Sequence, residues 1–111
     1  MSGSDRRNNA ERVRVLNDTF RTSFIGGRIL LTAGTAELPP DLKAQLLLKV
    51  KDFTAFDEGS DPHHEHDFGV IELEGERYFW KIDLYEDPDV KDSDGEPLVN
   101  RVLTIMLAEE Y

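Results

Sequence analysis

The sequence has no cysteine among its 111 residues. That excludes disulfides, zinc–thiolate sites, iron–sulfur clusters and a cysteine nucleophile. No apolar run approaches the roughly 18 residues of a membrane-spanning helix, and the polar N-terminus lacks the apolar centre of a secretory signal. The expectation is a cytoplasmic protein with no membrane partner. Phosphate loops are missing too: Gly26-Gly27 and Gly34 have neither Walker nor dinucleotide-binding spacing, and no lysine follows them. Basic residues are few, 13 Lys and Arg against 23 Asp and Glu, for a net charge of −10. A chain of that charge is a poor ligand for nucleic acid phosphates, and no direct nucleic-acid contact is expected.

What charge there is lies unevenly. Residues 1–56 hold nine Lys/Arg and six Asp/Glu, whereas residues 57–111 hold four and 17, so the halves carry +3 and −13. The acidic half attracts basic surfaces and repels phosphates. Hydrophobic residues make up 39% of the chain and are patterned, which suits one folded domain over residues 11–111 behind a flexible polar stretch, residues 1–10.

Val13, Leu16, Phe20 and Phe24 recur at helical spacing from about Glu11, and Gly26-Gly27 is placed to end that helix. Arg7, Arg14 and Arg21 flank the stripe, with Glu11 and Asp18 between them at pairing distance. Residues 28–32 form a short β-type run. Pro39-Pro40-Asp41 starts a second helix whose buried face is Leu42, Leu46, Val50 and Phe53 and which ends near Phe56. Strands at Phe68–Glu74 and Arg77–Tyr85 flank a Glu74-Gly75 turn, read as a two-residue hairpin. That turn sets Ile71 against Tyr78 and Gly69 against Trp80, leaving room for the indole over the glycine. Asp87 to Pro97 reads as a long solvated acidic loop before a last strand, Leu98 to about Ala108. The fold class is α+β, two helices packed on an antiparallel sheet of three to four strands.

All three histidines fall in Asp61-Pro62-His63-His64-Glu65-His66-Asp67. In an extended chain alternate residues project together, so His64 and His66 with a carboxylate such as Asp61 make a candidate shell for a divalent metal. A second reading takes His66 as a general base oriented by Glu65 or Asp67, though no nucleophile lies nearby in sequence. The stretch Asp87 to Glu96 fails as an EF-hand, because with Gly95 as sixth position Val90 and Arg101 occupy the first and twelfth. On the sheet face opposite Trp80 lie Phe79, Lys81, Asp83 and Tyr85, with Phe68 and Val70 beside them. That face is covered by the protein's own elements or serves a partner.

The segments Gly26-Gly27-Arg28, Leu31-Thr32-Ala33-Gly34, Asp61-Pro62, Glu65-His66-Asp67-Phe68-Gly69, Phe79-Trp80-Lys81-Ile82-Asp83 and residues 101–111 carry a resemblance. Together they resemble a bacterial domain-of-unknown-function family, alphaproteobacterial and often plasmid-borne. The resemblance implies a bacterial cytoplasmic protein and no particular activity, and it centres on Glu65, His66 and Asp67 more than on His63 and His64.

The leading functional expectation is a small acidic binding protein without enzymatic activity or cofactor, a mobile-element accessory or anti-defence protein that engages a basic partner surface. Its candidate contacts are Glu72, Glu74, Asp83, Tyr85, Glu86, Asp87 and Asp89. The alternative is a metal-binding protein or metal-dependent hydrolase built on the His63–Asp67 loop. A homo-oligomer, with the arginine-bearing helix of one copy against the acidic sheet of another, is the third option.

Overall fold

The structure, a computed structural model, describes residues 3–111, with side chains from residue 9 onward. Helix α1 spans Gly3–Ser23. It begins before the expected start at Glu11, because Arg, Ala and Glu continue a helix well without any apolar stripe to announce it. Of the stretch read as flexible, Met1 and Ser2 lie outside the described residues. The left-handed residue that ends α1 is Phe24 (φ 61°), ahead of both glycines, and its N–H donates to the Phe20 carbonyl at 2.6 Å. The buried stripe also differs from the apolar one. Asn17, Phe20 and Arg21 are buried, whereas Leu16 is 46% exposed.

Strand β1, Arg28–Leu31, leads through the single turn of α2, Ala33–Ala36, to helix α3, Pro40–Lys51. Pro40 stands in the first turn of α3, where its missing N–H costs no bond, and Leu46 and Val50 face the core. Strand β2, Phe68–Leu73, pairs antiparallel with β3, Glu76–Lys91, which pairs antiparallel with β4, Pro97–Leu107. A 3₁₀ turn, Ala108–Glu110, closes the described chain. The architecture is α+β with a four-stranded sheet in the order β1-β4-β3-β2. One correction concerns β1: it lies parallel to β4, with Ile29 beside Leu103, so the sheet is mixed. The crossover through α2 and α3 carries the chain over one face to the far edge, which is what makes the parallel pairing reachable.

The β2–β3 register matches the expected one, with Glu74 (φ 53°) and Gly75 (φ 78°) forming the turn that right-twisted strands favour. Both α1 and α3 cover the face that carries Ile71, Tyr78, Trp80, Ile82, Leu103 and Ile105. Trp80 is fully buried, and its indole lies over Gly69; a Cβ there would also stand 2.8 Å from Cζ of Phe53.

A second correction concerns the acidic stretch after Tyr85. Strands β3 and β4 continue past the core as a two-stranded ribbon, with Asp87 opposite Leu98 and an irregularity between Asp87 and Lys91 that takes up Pro88. Its tip is ordered by Asp92, whose Oδ1 accepts the N–H groups of Asp94 (2.9 Å) and Glu96 (3.1 Å), while Gly95 (φ 81°) supplies the left-handed turn.

The other end of the sheet is closed by Glu110. Its Oε1 accepts the Thr32 hydroxyl at 2.6 Å and the Leu107 N–H at 2.9 Å, and its Oε2 accepts the Gly34 N–H at 3.0 Å. These three donors hold its carboxyl below the usual carboxylate range.

Two outcomes are expected. Gly69→Ala forces a methyl into Trp80 and lowers unfolding free energy by about 1–3 kcal/mol in urea titrations followed by Trp80 fluorescence. Because the folded-state pKa of Glu110 is depressed, its contribution is present above the ordinary glutamate value and is lost as pH falls through the folded value. A melting curve series from neutral to acid pH should therefore show Glu110→Gln converging on the parent protein at the acid end.

Candidate functional site

The histidine loop is held against α1 by a network of charged and polar groups. Residues Asp57 to Asp67 run between α3 and β2, and the chain turns through left-handed conformations at His64 (φ 57°) and His66 (φ 54°). The loop is thus folded at these residues, and the alternation expected of an extended chain does not apply. Asp61 organises it from within. Buried, it accepts the N–H of Glu65 at 3.0 Å and of His66 at 3.1 Å through one carboxylate oxygen.

That fold swings His66 towards α1. Its Nδ1 lies 2.9 Å and 3.0 Å from the two carboxylate oxygens of Asp18, and its Nε2 lies 3.7 Å from Asp61 Oδ2. The imidazole lies flat on Phe56, ring centres 3.7 Å apart and planes 1° from parallel. Asp18 also pairs with Arg21 at 3.2 Å. Arg21, only 3% exposed, donates to the carbonyls of Val50 (2.8 Å) and Lys51 (3.0 Å) at the C-terminal end of α3. Its guanidinium sits 5.2 Å from the Trp80 ring centre and 5.4 Å from that of Phe56. One turn earlier, buried Asn17 donates to the Glu65 carbonyl at 3.0 Å and accepts from Arg101 Nε at 3.0 Å.

The carboxylates that orient His66 are therefore Asp18 and Asp61. Glu65 joins the network through its backbone. Asp67 lies on the other side, beside a cavity of about 350 Å³ that Lys81, Asp83 and Tyr111 also line. Burial holds the Asp67 carboxyl above the usual carboxylate range, reinforced by the charges of Asp61 and Asp83. Asp61, His64 and His66 do border one small cavity of about 230 Å³, together with Phe56, Asp57 and Glu58. Among the described residues, however, no group of three His, Asp or Glu side chains is spaced to hold a metal ion. In chemical terms, Asp18 and His66 have the geometry of a base with its orienting carboxylate. No hydroxyl is hydrogen-bonded to His66 among the described residues, and the network works as a clamp between loop, α1 and α3.

Sequence reasoning missed Asn17, Arg21, Asp18 and Phe56 as members of this cluster. A signal for the first two was present: residues 13, 17, 20, 21 and 24 fall on one helical face, so Asn17 and Arg21 share the face of Phe20. The pairing of Asp18 with His66, 48 residues apart, had no local signature.

The acidic candidates divide into separate places. Glu72, paired with Arg77 at 3.3 Å, and Glu74 sit by the β2–β3 turn. Asp83 pairs with Lys81 at 2.8 Å on the sheet face away from the helices. Tyr85, Glu86, Asp87 and Asp89 lie on the ribbon, where Tyr85 is 55% exposed. The face away from the helices is partly covered by Tyr111, which packs edge-on against Phe79 (5.4 Å) and Phe68 (6.1 Å), while Leu30, Val70 and Tyr85 remain exposed. The first helix does not cover it.

Residues 31–110 match the family described as "Protein of unknown function (DUF3768)". The chain belongs to this family. No curated protein and no solved structure matches it. Among the described residues no helix is long and apolar enough to cross a membrane. Several segments that carried the resemblance meet in space. The Thr32-Ala33-Gly34 turn is bonded to Glu110, and Gly69 lies under Trp80.

Removal of the loop's organiser gives the expected outcome for this site. Asp61→Ala leaves the N–H groups of Glu65 and His66 without their acceptor and costs about 1–3 kcal/mol. Amide exchange at these two residues should accelerate more than exchange in β3.

Proposed function

We propose that this protein is a non-enzymatic binding protein whose acidic second half engages a basic surface on a partner protein. The supporting observation is the ribbon formed by the far ends of β3 and β4. Between Glu86 and Glu96 it carries six acidic residues and one lysine, nearly all exposed. The helices α1 and α3 pack elsewhere, so no core requirement accounts for this charge. Beside the acids stand exposed apolar groups, Tyr85, Val90, Leu98 and Val99, which suit the anchoring contacts of a docked surface. The acids supply steering, which acts over about 8 Å at physiological salt.

In the bacterial, mobile-element setting that the sequence resemblance implies, the partner class that fits is a protein whose basic surface ordinarily meets nucleic acid. The carboxylates of the ribbon would then stand in for phosphates. This remains the chemistry of a protein–protein contact, with no cofactor required.

The test uses poly-L-lysine as a generic basic probe. Binding should weaken by about tenfold or more between low and physiological salt, as a charge-steered contact does. The triple variant Glu86→Gln, Asp87→Asn, Asp89→Asn should lose most of that affinity while keeping its melting temperature. Equal binding by the variant and the parent protein would sink the proposal.

A further inference from the structure

The outer edge of β2 is an open hydrogen-bonding ladder beside an apolar groove. Ile82 N–H donates to the Asp67 carbonyl at 2.8 Å, which makes Asp67 and Ile82 a hydrogen-bonded pair. By the antiparallel register, Gly69 with Trp80, Ile71 with Tyr78 and Leu73 with Glu76 are hydrogen-bonded pairs as well. The backbone N–H and C=O groups of Phe68, Val70 and Glu72 therefore point away from β3. Strand β2 is last in the sheet, so among the described residues no strand receives them.

Edge strands are ordinarily blunted by lysine, proline, a bulge or a covering element. Phe68–Leu73 contains no lysine or proline, and its pairing shows no register shift. Next to the edge, between β2 and α3, lies a groove of about 560 Å³ lined by Leu48, Lys49, Asp52, Phe53, Val70 and Glu72, among others. Leu48, 58% exposed, leaves apolar surface open on the helix side of the edge, and Val70, 38% exposed, leaves it open on the outer face.

We infer that this edge takes up an extended segment of a partner protein by strand addition, and that the segment alternates apolar and basic residues. The charge of the occupant rests on the basic-partner reading above; its conformation rests on the β2 edge alone. Side chains of an added antiparallel strand alternate between two faces. Those on the helix side meet Leu48 and Phe53 and prefer to be apolar. Those opposite Val70 and Glu72 share the outer face, where Glu72 favours Lys or Arg. Asp52, Glu72, Glu74 and Glu76 outnumber Lys49 and Arg77, the latter paired with Glu72 at 3.3 Å, along the groove and at the turn end of the strand, and Asp52 caps the electronegative end of α3. A second copy of the chain is disfavoured as occupant, since each copy carries −10.

The probe is a capped peptide of alternating lysine and valine, about seven residues long to span the edge, with an alternating glutamate–valine peptide as counterpart. On binding the lysine peptide, the amides of Val70 and Glu72 should shift in NMR spectra and slow in hydrogen exchange, with Gly69 and Ile71 little changed. Val70→Pro removes an outward N–H that β3 does not use, a position where an edge strand tolerates proline. Leu48→Lys alters the other wall at an exposed helix position, so it serves even if the proline variant folds poorly. Each should weaken the peptide at least about tenfold, the loss of a core contact in such a site. Shifts confined to residues 85–99 would overturn strand addition and leave the basic-partner reading intact. Tight binding of the glutamate peptide would overturn the charge assignment. Val70 and Glu72 amides already protected in a dimeric protein would overturn it in favour of a second copy. No binding of the lysine peptide, with poly-L-lysine binding retained, would overturn the inference alone.

Discussion

A guanidinium that is nearly excluded from water must find partners for its charge and its donors, and the arrangement around Arg21 is the solution this chain adopts. One side of the group meets the last carbonyls of α3, where the helix dipole is negative. Another meets Asp18, and its flat faces lie near Phe56 and Trp80. Asp18 in turn holds His66, and His66 holds the loop that delivers the chain into β2. Through one residue, then, α1 is tied to α3, to the central tryptophan and to the histidine loop. Among the described residues the buried Arg21 Nε and Trp80 Nε1 find no hydrogen-bond partner, the residual cost of packing a charge beside an indole.

Much of the sheet was legible from local rules. The Glu74-Gly75 turn fixes a register because a two-residue hairpin allows one pairing, and Gly69 opposite Trp80 followed from it. Helix α3 was legible because Pro40 marks its start and Leu42, Leu46 and Val50 its inner face. What escaped depended on distant partners. Nothing in residues 28–31 says that their neighbour is β4, or that they run parallel to it. The ribbon was misread as a loop because a run of Asp, Pro and Gly signals a turn, while the side chain of Asp92 and the cross-strand ladder that make it a hairpin tip emerge only when both strands are in place. All three histidines lie in one folded loop, but the orienting groups of His66 were sought among its sequence neighbours. Asp18 comes from another element, and a polar residue on an amphipathic helix looks like surface until its partner is seen.

The two faces of the sheet have different characters. The helical face is a closed core around Trp80, Phe20 and Val50. The outer face has a small aromatic cover of Phe68, Phe79 and Tyr111, with Met106 buried on the same side of β4, and beyond it a mixed apolar and charged expanse. The ribbon beyond the core carries a net −5 between Glu86 and Glu96, half of the chain's −10. Charge and packing are thereby separated: substitutions in the ribbon can retune charge without disturbing the packing that defines the fold.

That separation bears on how the chain behaves in a crowded solution. Where β3 outruns β2 and β4 outruns β1, no further strand among the described residues flanks the ribbon on either side, and Val90, Leu98 and Val99 lie close by. Such a strip would ordinarily seed stacking between molecules. The carboxylates spaced along it make every encounter between two ribbons repulsive. In physical terms these carboxylates are gatekeepers, since like charge opposes edge-to-edge approach.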